Sequence, residues 1–150
     1  MRFMSKCKDG GPESPVDAYT LVEIKDLFSI ILLKFNKGRR EAFHSHAFNA
    51  HTWFISGDLK EERLFLESNT RAFSQYHRSL LPKYTSRDNL HRVSATKDSW
   101  CFTIRGPWVK QWVEYEDTTK CTTVLGHKRV VIEKTYQKEN YEKNYITPMR

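Results

Sequence analysis

Apolar and polar residues alternate along most of this chain in short runs broken by turn residues, a period-2 pattern that predicts half-buried β-strands rather than helices. Ala18 to Ile24 and Leu27 to Phe35 read as two strands, the second nearly continuously apolar, as a strand buried on both faces would be. Further strands are expected at about 42–48, 51–56, 61–66, 76–81, 90–95, 99–105, 109–115 and 129–134, with turns such as Ser56-Gly57-Asp58 and Arg105-Gly106-Pro107 between them. Short strands at this spacing point to an all-β sandwich or barrel, and a chain of 150 residues is one domain of ordinary size. Gly10-Gly11-Pro12 and Ser14-Pro15 break regular structure, so residues 1–16 are expected to form a flexible lead to a domain spanning 17–134. The polar stretch 135–150 is expected to be a tail, either a short helix or an extension covering a sheet edge.

The run from Glu41 to Gly57 carries the candidate chemistry. On a strand, alternate side chains share a face, so His44 and His46 can present two imidazoles to one point. Imidazole suits zinc, copper, iron and nickel, and a third ligand from another strand would complete a facial site with open positions. His91 is the natural third ligand, and convergence would bring the ring nitrogens within about 4 Å of one another. A His-x-His pair alone is a weak signal, since chance produces one in about one such chain in four.

The surrounding residues resemble the cupin superfamily, whose first motif is a glycine, a short gap, His-x-His, three or four residues, Glu, six residues and Gly. Gly38 opens the segment here, His44 and His46 fill the pair, and Gly57 closes it. The second cupin motif supplies one histidine after a Pro-bearing turn, which Leu81-Pro82-Lys83-Tyr84 and the following Asp88-Asn89-Leu90-His91-Arg92-Val93 match in outline. The similarity covers about residues 18 to 115 and extends to small cupin-like proteins of no known function, some of them phage-encoded. It implies a double-stranded β-helix, or jelly roll, with one bound divalent ion; iron(II) is favoured, with zinc, nickel or manganese as alternatives. Two departures stand out. Counting back from Gly57 puts the motif's Glu at Ala50, whereas counting four on from His46 puts it at His51. Strict alternation places Ala50 inside, and a bulge would bring in His51 as a metal ligand instead. The Pro-x-Gly-x-x-His form of the second motif is also missing. A three-histidine site without the carboxylate resembles the thiol dioxygenase branch of the superfamily, and equally its non-oxidative members.

Charge narrows the ligand. An excess of 25 Lys and Arg over 18 Asp and Glu gives +7, which favours anionic partners. The basic residues are spread out, no block exceeds Lys37-Gly38-Arg39-Arg40, and no nucleic-acid-binding signature is present, so the expected partner is a small anionic molecule rather than nucleic acid. Arg40, Arg63 and Arg105 are the candidates for a two-pronged contact to its carboxylate or phosphate. Phe48 continues the inner face after His46, and Trp100, Phe102 and Ile104 alternate on the strand after His91, so Phe48 and Trp100 are candidate pocket walls. The paired acids Glu61-Glu62 and Glu114-Tyr115-Glu116 are expected on the solvent face. Cys7, Cys101 and Cys121 are odd in number and far apart, which argues for a reducing compartment. No apolar run is long enough to span a membrane and Met1-Arg2-Phe3-Met4 lacks a signal core, so a cytoplasmic protein is expected, and a homodimer is compatible with it.

The leading expectation is therefore a metal-dependent cupin enzyme acting on a small anion, with a non-haem iron dioxygenase as its sharpest form. Its rivals are a jelly-roll pocket that sequesters such a ligand without turnover, and a metal-free epimerase-like cupin in which His44 or His46 is the base and a tyrosine such as Tyr84 the acid.

Overall fold

In a computed structural model the chain is described over residues 1–137, and these form twelve antiparallel strands with one short helical turn at His127–Arg129. The strands are β1 (Arg2–Lys8), β2 (Val16–Ile24), β3 (Phe28–Phe35), β4 (Gly38–Arg39), β5 (Phe43–His44), β6 (Ala50–Phe65), β7 (Thr70–Tyr76), β8 (Lys83–Thr85), β9 (His91–Arg105), β10 (Gln111–Glu116), β11 (Cys121–Gly126) and β12 (Val131–Tyr136). No helix among the described residues is long and apolar enough to cross a membrane.

The long strand β9 organises the roll. Along one edge it pairs with β6 from Ala50↔Arg105 to Arg63↔His91. Its other edge is divided, with β3 on Ser99–Arg105, β4 on Ser94 and Ala95, and β5 on His91. From β5 the sheet continues through β10 and β11 to β12, and beyond β3 it ends in β2 and β1. This rolled antiparallel sheet is an all-β jelly roll of the cupin type, as the sequence predicts.

Strand parity decides what lies inside. On β3 it is Ser29, Ile31 and Leu33 that are buried, so this strand alternates rather than being covered fully on both sides. On β9 the odd positions face inward, and Cys101, Thr103 and Arg105 are all less than 5 % exposed. The first half of β6 turns its even residues Ala50, Thr52 and Phe54 to the interior, but register shifts between Phe54 and Leu59 reverse the phase, so Leu59 and Glu61 face in beyond them. Gly57 sits in that irregular stretch at φ +104°, and a Cβ there would collide with Ser99, which is why a residue without a side chain occupies it. Apolar clusters close the interior around Ala18, Ile31, Leu33, Leu59, Ala95 and Cys101 on one side and around Phe43, Leu64, Leu90 and Tyr115 on another.

Several expectations change. The N-terminal lead is ordered through Lys8 as β1, which pairs with β2 from Arg2↔Glu23 to Lys8↔Asp17. The runs expected at 51–56 and 61–66 are one continuous strand, and so are 90–95 and 99–105. Instead of a strand at 76–81, β7 occupies Thr70–Tyr76. Its residues are exposed or half-exposed and carry no buried stripe, so it leaves no apolar alternation to detect. All three cysteines are free thiols, and burial pushes Cys101 up to about 12. The polar tail lies outside the described residues beyond position 137.

Candidate metal centre

His44 ends β5, His46 follows two residues later, and His91 opens β9 directly across from His44 in the register. One nitrogen of each ring lies within 4.8 Å of the others, and the ring centroids are 4.9 to 5.1 Å apart. His46 Nε2 and His91 Nε2 are 2.8 Å apart, a hydrogen-bond distance. Three nitrogens about 2.1 Å from one ion stand ~3.4 Å apart in a tetrahedral arrangement, which lies between the 2.8 Å of the His46–His91 pair and the 4.8 Å within which all three nitrogens fall.

The protonation states suit the same role. Burial, the two neighbouring imidazoles and the Arg40 guanidinium hold His44 well below the ordinary histidine range. Burial, His91 and Arg105 do the same for His46. Both rings are therefore neutral at pH 7, the form that offers a lone pair to a metal. His44 Nδ1 is buried without a hydrogen-bond partner among the described residues. A set of neutral imidazoles with a buried unpartnered nitrogen fits a borderline divalent cation.

Behind His91 lies a carboxylate expected on the wet face. Glu61, only 3 % exposed, accepts a hydrogen bond from His91 Nδ1 at Oε1, while its Oε2 accepts from the Tyr76 hydroxyl at 2.7 Å and from the Lys83 ammonium. Burial opposes ionisation of Glu61, but the hydrogen bonds donated by His91 and Lys83 and the charge of the Lys83 ammonium together outweigh it, so the group titrates below the usual carboxylate range. With Nδ1–H committed to Glu61, the lone pair of His91 is left on Nε2, pointing toward the other two rings. Sequence reasoning missed Glu61 because the phase of β6 reverses before it; parity counted from Ala50 places it outside.

The histidines line a cavity of about 440 Å³ that also exposes Phe48, Thr103 and Arg105. Phe48 stacks on His46 with centroids 5.4 Å apart, as its position on the inner face predicts. Arg105 is 4 % exposed, holds the Asp9 carboxylate through both terminal nitrogens at 2.6 and 3.2 Å, and lies 4.4 Å over the Phe48 ring. Arg40 also lines the cavity, paired with Glu114, which Arg129 holds as well. Glu114 is thus a half-buried member of the wall, not a solvent-facing acid.

Other candidates fall outside. His51 is exposed on the outer face against the Tyr84 ring, because no bulge intervenes before Phe54 and the even residues keep the inner side. Trp100 has the opposite parity to His91 and stacks on Tyr19 outside the cavity, and Arg63 does not reach the cavity wall. Tyr84 is 53 % exposed between the inward Lys83 and Thr85, so it is not placed to serve as the acid of the epimerase scheme, whereas Tyr76 does line the cavity.

No protein-family model matches the sequence, and no curated protein matches it. Solved structures do. The chain is similar to CapF, crystallised with the inhibitor 3-isopropenyl-tropolone, at 9 % identity and a TM-score of 0.52 over 65 % of this chain and 29 % of that one. It is similar to oxalate decarboxylase from Bacillus subtilis at 13 % identity and a TM-score of 0.51, over 65 % of this chain and 26 % of that one. A conserved protein of unknown function from Streptococcus pyogenes matches at 13 % identity and a TM-score of 0.50, over 71 % of this chain and 96 % of its own. The chain spans under a third of the first two proteins and nearly the whole length of the third. At these identities the likeness is one of fold: the neighbours are cupins, and the jelly roll is theirs.

Proposed function

We propose that this protein is a metal-dependent cupin enzyme acting on a small anionic molecule, an oxidoreductase of the non-haem iron dioxygenase type built on His44, His46 and His91. The observation that carries the proposal is the convergence of these three imidazoles at the wall of one cavity, with Glu61 fixing the tautomer of the third. Iron(II) held there would supply open positions for dioxygen and substrate together. Three neutral ligands cancel none of a divalent charge, so the site favours an anion in its remaining positions. Arg105, on the same wall, offers the second point of attachment and would set the substrate's orientation. Phe48, covering one face of His46, keeps that ring in place and shields it from water.

Reconstituting the untagged protein with iron(II) without oxygen and then admitting oxygen with small carboxylic and thiol acids tests the reaction. Oxygen uptake that depends on one of those acids and vanishes in His91→Ala supports the enzyme. Stoichiometric metal with ligand binding but no uptake or product would favour a sequestering pocket instead.

A further inference from the structure

The turn joining β1 to β2 forms part of the cavity wall through Asp9, Gly10, Gly11 and Ser14. Asp9 N–H bonds to the Val16 carbonyl at 2.9 Å and Ser14 N–H to the Gly11 carbonyl at 3.1 Å, which folds residues 9–14 into a strap. Gly10 and Gly11, at φ +93° and +106°, lie directly on the guanidiniums of Arg40 and Arg129. Only residues without a Cβ pass this closely in that conformation. From the strap Asp9 reaches inward and fills the two-pronged face of Arg105, a residue 96 positions away.

The two partners of this ion pair are buried unequally. The Arg105 side chain is 5 % exposed and that of Asp9 33 %. Swinging the strap outward would return Asp9, the more exposed partner, to water, whereas Arg105 would stay in the wall as a desolvated cation in need of a new anion. Its Nε is also buried with no hydrogen-bond partner among the described residues, a donor that Asp9 leaves unused. Phe48 backs the guanidinium plane, so the fork is held in one orientation facing the cavity.

We propose that Asp9 is a tethered stand-in for the ligand: Arg105 is the binding site for the carboxylate of a small organic acid, which enters by displacing Asp9 and opening the strap. This deepens the reading of the pocket as a site for a small anion and rests on it for the charge of the ligand. A carboxylate is the matching chemistry because the planar fork already holds one through two parallel hydrogen bonds. Competition from Asp9 lowers the apparent affinity by the fraction of molecules in which the strap is open.

Malonate is a suitable probe, measured by calorimetry on the metal-loaded protein. Asp9→Asn, which keeps the size and removes the charge, should bind malonate at least about tenfold more tightly than the unaltered protein. Asp9→Asn combined with Arg105→Met should lose that gain with metal content unchanged, which separates this site from direct ligation at the histidines. In the unaltered protein, saturating malonate should speed amide hydrogen exchange at residues 9–14, a readout that needs no variant. An unchanged affinity in Asp9→Asn, a gain that survives loss of Arg105, slower exchange in the strap, or phosphate binding more tightly than malonate would each overturn the proposal.

Discussion

Replacing Glu61 by Gln changes no shape and removes one charge, and its effect can be worked from the bonds around it. Three donors converge on this carboxylate: His91 Nδ1–H at Oε1, and the Tyr76 hydroxyl and Lys83 ammonium at Oε2. A glutamine has one oxygen to offer. If that oxygen faces His91, its NH2 group can donate to the Tyr76 hydroxyl but opposes the Lys83 ammonium, which loses its acceptor at a cost of about 1–3 kcal/mol to the fold. Turned the other way, it opposes His91 Nδ1–H, and the ring is no longer held with its Nε2 lone pair toward His46. Losing a carboxylate behind a metal-ligating histidine typically weakens metal binding 10- to 100-fold, or about 1.4–2.7 kcal/mol. The assay is a titration of chelator-stripped, untagged protein with zinc(II) in competition with a chromogenic chelator, beside a urea melt that establishes folding. Lys83→Met, which leaves the Glu61–His91 bond in place, should lower the affinity less. A folded Glu61→Gln protein that binds zinc as tightly as the unaltered one would refute the role assigned to Glu61.

Two further outcomes follow from parity and burial. His46→Ala should abolish tight metal binding, while His51→Ala, changing an exposed ring on the outer face, should leave occupancy within about twofold, as metal analysis of both proteins would read. In the metal-free protein, His44 and His46 have depressed folded-state values, so unfolding takes up protons at acid pH. Stability from these rings is complete above the unfolded value near 6.5 and falls as the pH drops below it, by at most about 1.4 kcal/mol per pH unit for each ring. Urea midpoints between pH 7.5 and 5 should decline accordingly, and a flat or rising profile would contradict neutral buried imidazoles; Glu61, whose contribution is lost only as the pH falls through its unfolded value of 4.5, adds little to the slope above pH 5.

How much of this was legible beforehand depended on unbroken alternation. His44 and His46 reach one point from two residues apart, as the sequence shows directly, and Phe48 stacks on His46, although the strand ends at His44 and Ser45 and Ala47 line the cavity as well. The same rule applied from His91 places Arg105 inside and Trp100 outside, since the strand between them is continuous; splitting it at about residues 95–99 hid the common parity. Glu61 was hidden for the opposite reason. The register shifts around Gly57 turn an expected solvent-facing acid into the partner of a buried histidine, and no period-2 count survives them. Segments β1 and β7 leave no signal because nearly all their residues are exposed and carry no buried apolar stripe, and β11 buries only Cys121, Leu125 and Gly126, with three half-buried residues between the first two. Asp9 could not have been found from composition, because its partner lies 96 residues away and only the closed roll brings them together.

The central claim is that His44, His46 and His91 form a metal centre. Elemental analysis of protein expressed without a histidine tag tests it most directly, with each of the three histidines changed to alanine in turn and folding checked by circular dichroism. The account predicts about one transition-metal ion per chain in the unaltered protein and its loss in each of the three variants. A folded protein without bound metal that also fails to take up iron(II) or zinc(II), or one that keeps its metal after loss of His46 or His91, would contradict it.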